Sequence, residues 1–553
     1  MGAFGGASVY QVYIKSFSDG HGSGIGDILG IIHKLDYLKF LGITHLWITP
    51  FYVSPEIDNG YDVTDYTSIN PKYGTMEDFD LLIQEARKRG IGVILDMVFN
   101  HTSTQHPWFQ KALSGDTYYQ QYYFFRKGKQ PGVPPTNWSS KFGGSAWKYV
   151  PALDKWYLHL FSEGQADLNW DNQDVRKAIQ SVLSFWEQKQ VAGFRFDVIN
   201  LVSKPELFTD DQNGDGRSCY TDGPHIHEYI RELVETCGLK NYLTVGEMSS
   251  THLKDCISYA SLTGNELSMV FSFQHLKVDY ADGDKWRIQK FQPSELFSII
   301  DMWQRGMQEG NAWNTLFWSN HDQPRVVSRF GDEGEYWKQS AKSLAAMMYL
   351  LRGTPFIYQG EELGMTNAHF STLSSYRDIE SIKAYDILTS QGNTAKNALE
   401  VLSQRSRDNS RTPMQWDSTP HAGFSTGNPW IAINPNHAWI NAEGEKKDPD
   451  SILWWYKRLL LLRAQSATIQ YGTYKRLDPT NPSVFLYQRI GKEDTFTIIC
   501  NCTKNYATFQ LPSPLKGNVI LANYLNPQKT GLLRPYECLV VREKKGAHHA
   551  TLS

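Results

Sequence analysis

Three carboxylates stand out by type and by place: Asp197 in GFRFDVIN, Glu247 in LTVGEMSS and Asp322 in FWSNHDQPR. Each follows a short apolar run with the pattern of a buried strand, so each falls where a strand gives way to a loop. Carboxylates at the C-terminal ends of parallel strands converge on the open face of a barrel. A nucleophile, a proton donor and a third carboxylate to restrain the sugar meet the needs of retaining glycoside hydrolysis. Arg195 and Asp197 lie two apart and share one strand face. Such a charged pair is costly inside a barrel unless it is paired and used, although an isolated Arg-x-Asp also fits a plain structural ion pair. Glu247 suits a general acid, which must hold its proton near neutral pH, and an ionised Asp197 close by would raise its pKa. His321 beside Asp322, and His101 at the end of GVILDMVFNH, offer hydrogen bonds to sugar hydroxyls. A lone histidine at a strand end is more often a satisfied core group; two at equivalent positions point to use.

The elements needed to position these groups are legible as an alternation. SVYQVYIKSF, ITHLWITPFY, GVILDMVFNH, GFRFDV, YLTVGE, TLFWSN and TPFIYQGEE read as strands, with amphipathic helices between them, for example over 78–89 and 174–188. This predicts an α/β fold of parallel βαβ units, and their number favours a closed (β/α)8 TIM barrel over an open sheet. The barrel is expected over 1–101 and 167–465. Residues 102–166, rich in Tyr, Trp, Gly and Pro without a clean helical period, form an inserted subdomain after the third strand, at the mouth of the site. A second excursion runs over 366–427, with a polar helical stretch near 378–406. From 466 to 545 the pattern becomes short alternating strands, a small all-β domain, and 546–553 reads as a disordered tail.

Bulk properties narrow the function classes. A chain of 553 residues with a net charge of −3 has no basic stripe for nucleic acid. An anionic substrate would therefore need a local cluster of cations. No apolar run approaches a membrane-spanning length, and the start lacks the pattern of a secretion signal, so a cytoplasmic protein is expected. Six cysteines show neither disulfide density nor zinc spacing. Oligomeric state is left open.

DMVFNH, GFRFDVIN, VGEM and SNHD, in that order, resemble the four signature segments of glycoside hydrolase family 13, the α-amylase family. QVYIKSF, LGITHLWITPFYVSP, DNGYDV, QADLNW, GTPFIYQGEELGM and RDNSRTPMQW are similar to its oligo-1,6-glucosidase branch. The resemblance implies Asp197 as nucleophile, Glu247 as general acid/base and Asp322 as transition-state stabiliser. It implies Tyr61, Asp62, His101, Arg195, His321 and Arg407 around the terminal glucose, with Arg411 competing for the last place. It also implies a barrel with an inserted subdomain and a C-terminal β domain, and no cofactor. Val198, after the nucleophile, resembles branch members that do not favour α-1,4 bonds.

NHTSTQHPWF, WSSKFGGSAW, DGRSCYTDGP, VGEMSSTHL, ELSMVFSFQHLKVDY and SNHDQPRVVSRFGDEGEY resemble members of the branch that act on a small-molecule phosphorylated disaccharide, and imply α,α-trehalose 6-phosphate as substrate. A phosphate on the leaving glucose needs cationic donors at the pocket mouth, and Lys277, Lys285 and Lys141 are the candidates, in a loop after the fifth-strand region and in the insertion. Most lysines are solvated surface groups, the plainer reading of all three. Rival functions are an oligo-1,6-glucosidase or sucrose-acting enzyme on a neutral sugar, and an inactive transporter-associated relative, which would have lost a catalytic carboxylate. Metal is not expected. The loop from Asp19 to Asp27 has His21 and Ser23 where a calcium-type loop has oxygen ligands, and the stretch from Asp211 to Asp222 reads as an ordinary turn.

Overall fold

The computed structural model describes residues 3–478, 481–510, 515–527 and 531–545; the expected tail lies outside the described residues. Eight strands form one parallel sheet: β1 (Val9–Val12), β2 (His45–Ile48), β3 (Gly92–Met97), β4 (Gly193–Phe196), β5 (Leu243–Glu247), β6 (Met269–Phe271), β7 (Thr315–Leu316) and β8 (Thr354–Tyr358). Hydrogen-bonded neighbours run β6-β5-β4-β3-β2-β1-β8-β7, and a parallel bridge from Val270 to Asn314 joins the two ends into a barrel. β6 is the strand missing from the sequence reading. Its apolar residues, Met269, Val270 and Phe271, run on into Ser272 and Phe273 with no turn signal or charged end to mark a strand. Lys277 and Lys285 consequently follow the sixth strand, not the fifth.

Helices pack outside the sheet where the apolar period predicts them. Met76–Lys88 opens on a capping box, with Thr75 and Asp78 satisfying each other's backbone N–H. Gln173–Gln188 buries Val175, Ile179, Val182, Leu183 and Trp186 on one face. The polar stretch near 378–406 is two helices, Ile379–Ser390 and Ala395–Arg405, broken at Gly392, which takes a left-handed turn.

The segment between β3 and β4 is more regular than its composition indicates. It holds a helix, Pro107–Leu113, and a three-stranded antiparallel sheet of Phe125–Arg126, Lys155–Leu158 and Trp147–Val150. Strands this short leave no detectable alternation. The C-terminal strands are β9 (Thr473–Arg476), β10 (Val484–Ile490), β11 (Asp494–Asn501), β12 (Asn518–Ala522) and β13 (Cys538–Lys544), paired antiparallel in the order β9-β10-β11-β13-β12. Arg489 of β10 and Arg463 of helix Ile452–Gln465 donate to the carbonyls of Tyr349, Leu350 and Leu351. These carbonyls end the helix Trp337–Tyr349, whose negative pole the two guanidiniums meet.

Two polar loops are closed by their own backbone. Asp19 accepts from the N–H groups of Gly22 and Gly24 and from Ser425, while Asp27 caps the helix Ile28–Leu41 and holds His21. Asp211 accepts from the N–H groups of Asn213 and Gly216, closing the turn ahead of the helical segment Arg217–Tyr220. Among the described residues no helix is long and apolar enough to cross a membrane.

Candidate active site

Strand alternation builds the floor of the site. On β4, Phe194 and Phe196 take one face and Arg195 the other, toward the barrel axis. Beneath it lie Trp47, Phe271 and Phe356, with ring centroids 4.7–6.2 Å apart, and the Arg195 guanidinium sits 5.1 Å from the Trp47 ring. Burying a guanidinium here requires anionic partners, and three carboxyl groups surround it. One terminal nitrogen donates to Asp96 at 2.7 Å and to Asp197 at 2.6 Å; the other pairs with Glu247. Asp197 and Glu247, from neighbouring strands, are thus held by one planar cation.

Asp96 was not singled out in the sequence. It is fully buried on β3 and also accepts from Tyr61 Oη at 2.9 Å and Trp47 Nε1 at 3.1 Å. Burial pushes its carboxyl up, against the opposing pull of Arg195. The residue after Asp197 is strained: Val198 has φ 35° and ψ 41°, a left-handed conformation rare for a β-branched side chain and concentrated at functional sites.

Asp322 lies across the opening from this pair. Burial would raise its carboxyl, yet His321, Arg407 and Arg411 hold it far below the ordinary range. The contacts are Arg407 Nη1 at 3.2 Å, Arg411 Nη2 at 2.9 Å and His321 Nε2 at 3.2 Å. His321 is kept neutral, its pKa driven down to about 3 chiefly by burial. The Gln11 amide nitrogen faces Nδ1 at 2.8 Å, which assigns the ring proton to Nε2, toward Asp322. Tyr61 stacks on the His321 ring, 5.1 Å away and 3° from parallel.

Asp197, Glu247, Asp322 and Tyr61 line a cavity of about 210 Å³ together with Asp58, His101, Lys141, Phe142, Phe161, Gln165, Val198, Lys285, Gln323, Glu380 and Arg407. Of the expected glucose contacts, Tyr61, His101 and Arg407 reach it directly. Arg195 and His321 stand just behind the carboxylates. Asp62 does not reach the cavity: its carboxylate accepts from Ser54 Oγ and from the N–H groups of Ile57 and Asp58, which ties down the 54–58 turn. Burial pushes Asp62 up to about 6. The left-handed glycine of DNGYD, with φ 101°, reverses the chain, and Asp58 takes the place expected of Asp62. Asp58 accepts from Arg407 at 3.0 Å and from the Gln165 amide at 3.1 Å. Arg411 stays outside the cavity, bracing Asp322, Asp378 and the His321 carbonyl.

A second, wider cavity of about 870 Å³ adjoins the first, with Glu247, Asp322 and Gln323 in the walls of both. Lys277 and Arg217 line it, alongside Asp215, Ser249, Thr251 and Tyr280. Lys141, in the wall of the small cavity, donates to Ser249 Oγ at 3.0 Å. Burial, then repulsion from Arg217 and Lys277, lowers Lys141 to about 7. Burial and Arg217 likewise lower Lys277. Asp279, the carboxylate nearest Lys277 in sequence, is already shared by Arg329 and Arg405, each at 2.6 Å. Lys285 differs from the other two lysines, being paired with Glu380 at 2.6 Å. Arg217 carries no sequence signal; only the turn after Asp211 brings it here. The walls therefore combine a ring-sized carboxylate-lined pocket with a wider chamber of mixed charge, which presents Lys277 and Arg217 among Asp215, Asp222 and Asp255, the two being joined at Glu247.

A family model described as "Alpha amylase, catalytic domain" matches residues 11–472. The chain is 49% identical to trehalose-6-phosphate hydrolase of Escherichia coli over 537 residues, covering 96% of this chain and 97% of that protein. It is 43% identical to oligo-1,6-glucosidase of Bacillus cereus over 551 residues, covering 97% and 98%. The crystal structure of trehalose-6-phosphate hydrolase from Bacillus licheniformis superposes with a TM-score of 0.93 at 47% identity, over 99% of this chain and all of that one. Its order of strands, its cluster of carboxylates on one guanidinium and these matches agree: the chain belongs to the α-amylase family of glycoside hydrolases.

Proposed function

We propose that this chain is a retaining α-glucosidase that hydrolyses α,α-trehalose 6-phosphate to glucose and glucose 6-phosphate. The unphosphorylated glucose occupies the small cavity. Asp197 attacks its anomeric carbon while Glu247 protonates the bridging oxygen, releasing glucose 6-phosphate into the wide cavity. Glu247, now a carboxylate, takes a proton from water, which attacks the glucosyl ester and restores Asp197. A single guanidinium bridging both carboxyls supports the short separation of retaining enzymes, about 5–5.5 Å, and not the about 6.5–9.5 Å of inverting ones. Asp322, held ionised beside two arginines, stabilises positive charge at the ring. Asp58, Tyr61, His101, Phe161, Gln165 and Arg407 hold the glucose.

The observation that carries the substrate is the group of cations on the leaving-group side of Glu247, Lys277 and Arg217 in the wall of the wide cavity and Lys141 beside it. Lys141 and Lys277 form no ion pair with a carboxylate among the described residues, and Arg217 has only the exposed Asp215 at 3.3 Å. A phosphate dianion supplies the missing charge. A phosphorylated substrate is retained inside cells, which favours a cytoplasmic enzyme. The working anatomy is a barrel over 1–101 and 167–465, an insertion over 102–166 and a β domain over 466–545.

Side-by-side turnover of trehalose 6-phosphate, trehalose and isomaltose tests the reading. The phosphorylated sugar is expected to exceed the others in kcat/KM by about 100-fold, the scale of two charge-assisted hydrogen bonds. Faster cleavage of isomaltose would assign the chain to the neutral-sugar enzymes of its branch.

A further inference from the structure

The nucleophile and the acid sit on different strands, and each is followed by a loop that could drift independently. One buried side chain joins the two loops. Asn200, three residues beyond Asp197 in the turn Ile199–Leu201, accepts the Ser249 N–H at Oδ1 and donates from Nδ2 to the Ser249 carbonyl, both at 2.9 Å. Ser249 lies two residues beyond Glu247. An amide making both bonds to one residue mimics a rung of a β-ladder and fixes the distance between the two segments. The second Nδ2 proton goes to Asp222 at 3.2 Å, and Asp222 in turn receives Thr251 Oγ1 and Tyr259 Oη from the same acid-bearing loop and its following helix. The Asp222 N–H returns to the Asn200 carbonyl at 3.0 Å. Asn200 is fully buried and every donor and acceptor of its side chain is used.

We propose that Asn200 is a positioning residue that sets the placement of Glu247 relative to Asp197, with Asp222 as its brace. The proposal rests on the roles given above to Asp197 and Glu247. It touches no substrate itself. When the clamp is lost Arg195 still reaches both carboxyls, but the loop after Glu247 is freed, and with it the aim of the Glu247 proton at the bridging oxygen. Nucleophilic attack survives; proton donation to a poor leaving group suffers.

Leaving-group dependence separates this from a purely structural role. A sugar leaves as a strongly basic alkoxide unless protonated, whereas 4-nitrophenolate leaves with little help. Asn200→Ala is expected to lower kcat for trehalose 6-phosphate by about 100-fold, the low end of general-acid assistance, and for 4-nitrophenyl α-glucoside by under about fivefold. KM for both should change by less than about threefold. The alkaline limb of the kcat profile for the disaccharide should also move. Asp222→Asn, which weakens the brace without emptying volume, should show the same split at smaller size, and serves if Asn200→Ala does not fold. Equal losses on the two substrates, or a change confined to KM, would overturn the clamp. Glu247→Gln is the separate control: if it keeps full activity on the disaccharide, the assignment of the acid itself fails, whatever Asn200 does.

Discussion

Arg195 is the residue through which most of the site is held, and its replacement acts on three carboxylates at once. Arg195→Lys keeps a charge but has no fork with which to bridge Asp197 and Glu247. We expect kcat on any α-glucoside to fall by at least about 100-fold, with the protein still folded by circular dichroism. At the cationic end, Lys277→Ala and Arg217→Ala should each raise KM for trehalose 6-phosphate by about tenfold and leave that for an aryl glucoside unaltered; equal effects on both would remove them from the phosphate. Lys141 gives a pH signature. With its pKa lowered to about 7, the free enzyme loses this cation as pH rises through neutrality. KM for the phosphorylated substrate should therefore climb above about pH 7 while KM for a neutral glucoside stays flat. Binding a dianion restores the proton, so calorimetry in buffers of different ionisation enthalpy should register proton uptake at pH 8. Legibility was uneven at this scale. Asp197, Glu247 and Asp322 ended recognisable strands, whereas Asp58 and Asp62 sit in one motif and only the left-handed Gly60 decides which faces the cavity. Asp96 passed as part of a strand, and Arg217 is brought in by a fold of the chain that no local pattern encodes.

Elements are locked together by buried charges that the reaction does not touch. The Lys204 ammonium, fully buried, is held by Asp167 at 2.8 Å, Asn100 Oδ1 at 2.9 Å and the Leu201 carbonyl. It ties the loop after β3, the returning strand Gln165–Asp167 and the turn after the nucleophile into one oxygen cage around a cation. Lys204→Met leaves Asp167 charged and unpaired, and unfolding should become easier by about 3–5 kcal/mol in urea. Gln165 would shift with it, so KM for the glucoside should rise as well. The sequence disclosed the barrel strands and the long helices through their periods. It disclosed neither Met269–Phe271 nor the small sheet of the insertion, whose strands show no alternation or charged end that sets them apart from their flanks. The cage itself is a tertiary fact: Asn100 and Lys204 lie 104 positions apart, with Asp167 between them.

The whole molecule is joined where the β domain meets the barrel. Arg463 and Arg489 are buried with no carboxylate partner among the described residues, lowered by burial to about 10 and about 9, and their terminal nitrogens donate to carbonyls at the end of the helix Trp337–Tyr349 and to those of Gly353 and Gly472. Arg489→Met would strand the Leu350 and Gly472 carbonyls at a buried seam and cost about 2–4 kcal/mol. Because the seam is shared, barrel and β domain should still melt in one calorimetric transition at lower temperature; two separated transitions would show that the domains fold independently. The change of pattern after the helix Ile452–Gln465 made the β domain visible in the sequence. Its attachment was not, since an arginine in a strand reads as exposed.

The bridge from Arg195 to both carboxyls has an electrical consequence. When the ester forms, Asp197 gives up its negative charge and Glu247, having released its proton, acquires one. The anion thus hops from one arm of a fixed guanidinium to the other, and the total charge around that cation is the same before and after. Nothing in the dry interior has to reorient as the electrons move, and each half of the cycle begins from an electrostatic landscape already suited to it.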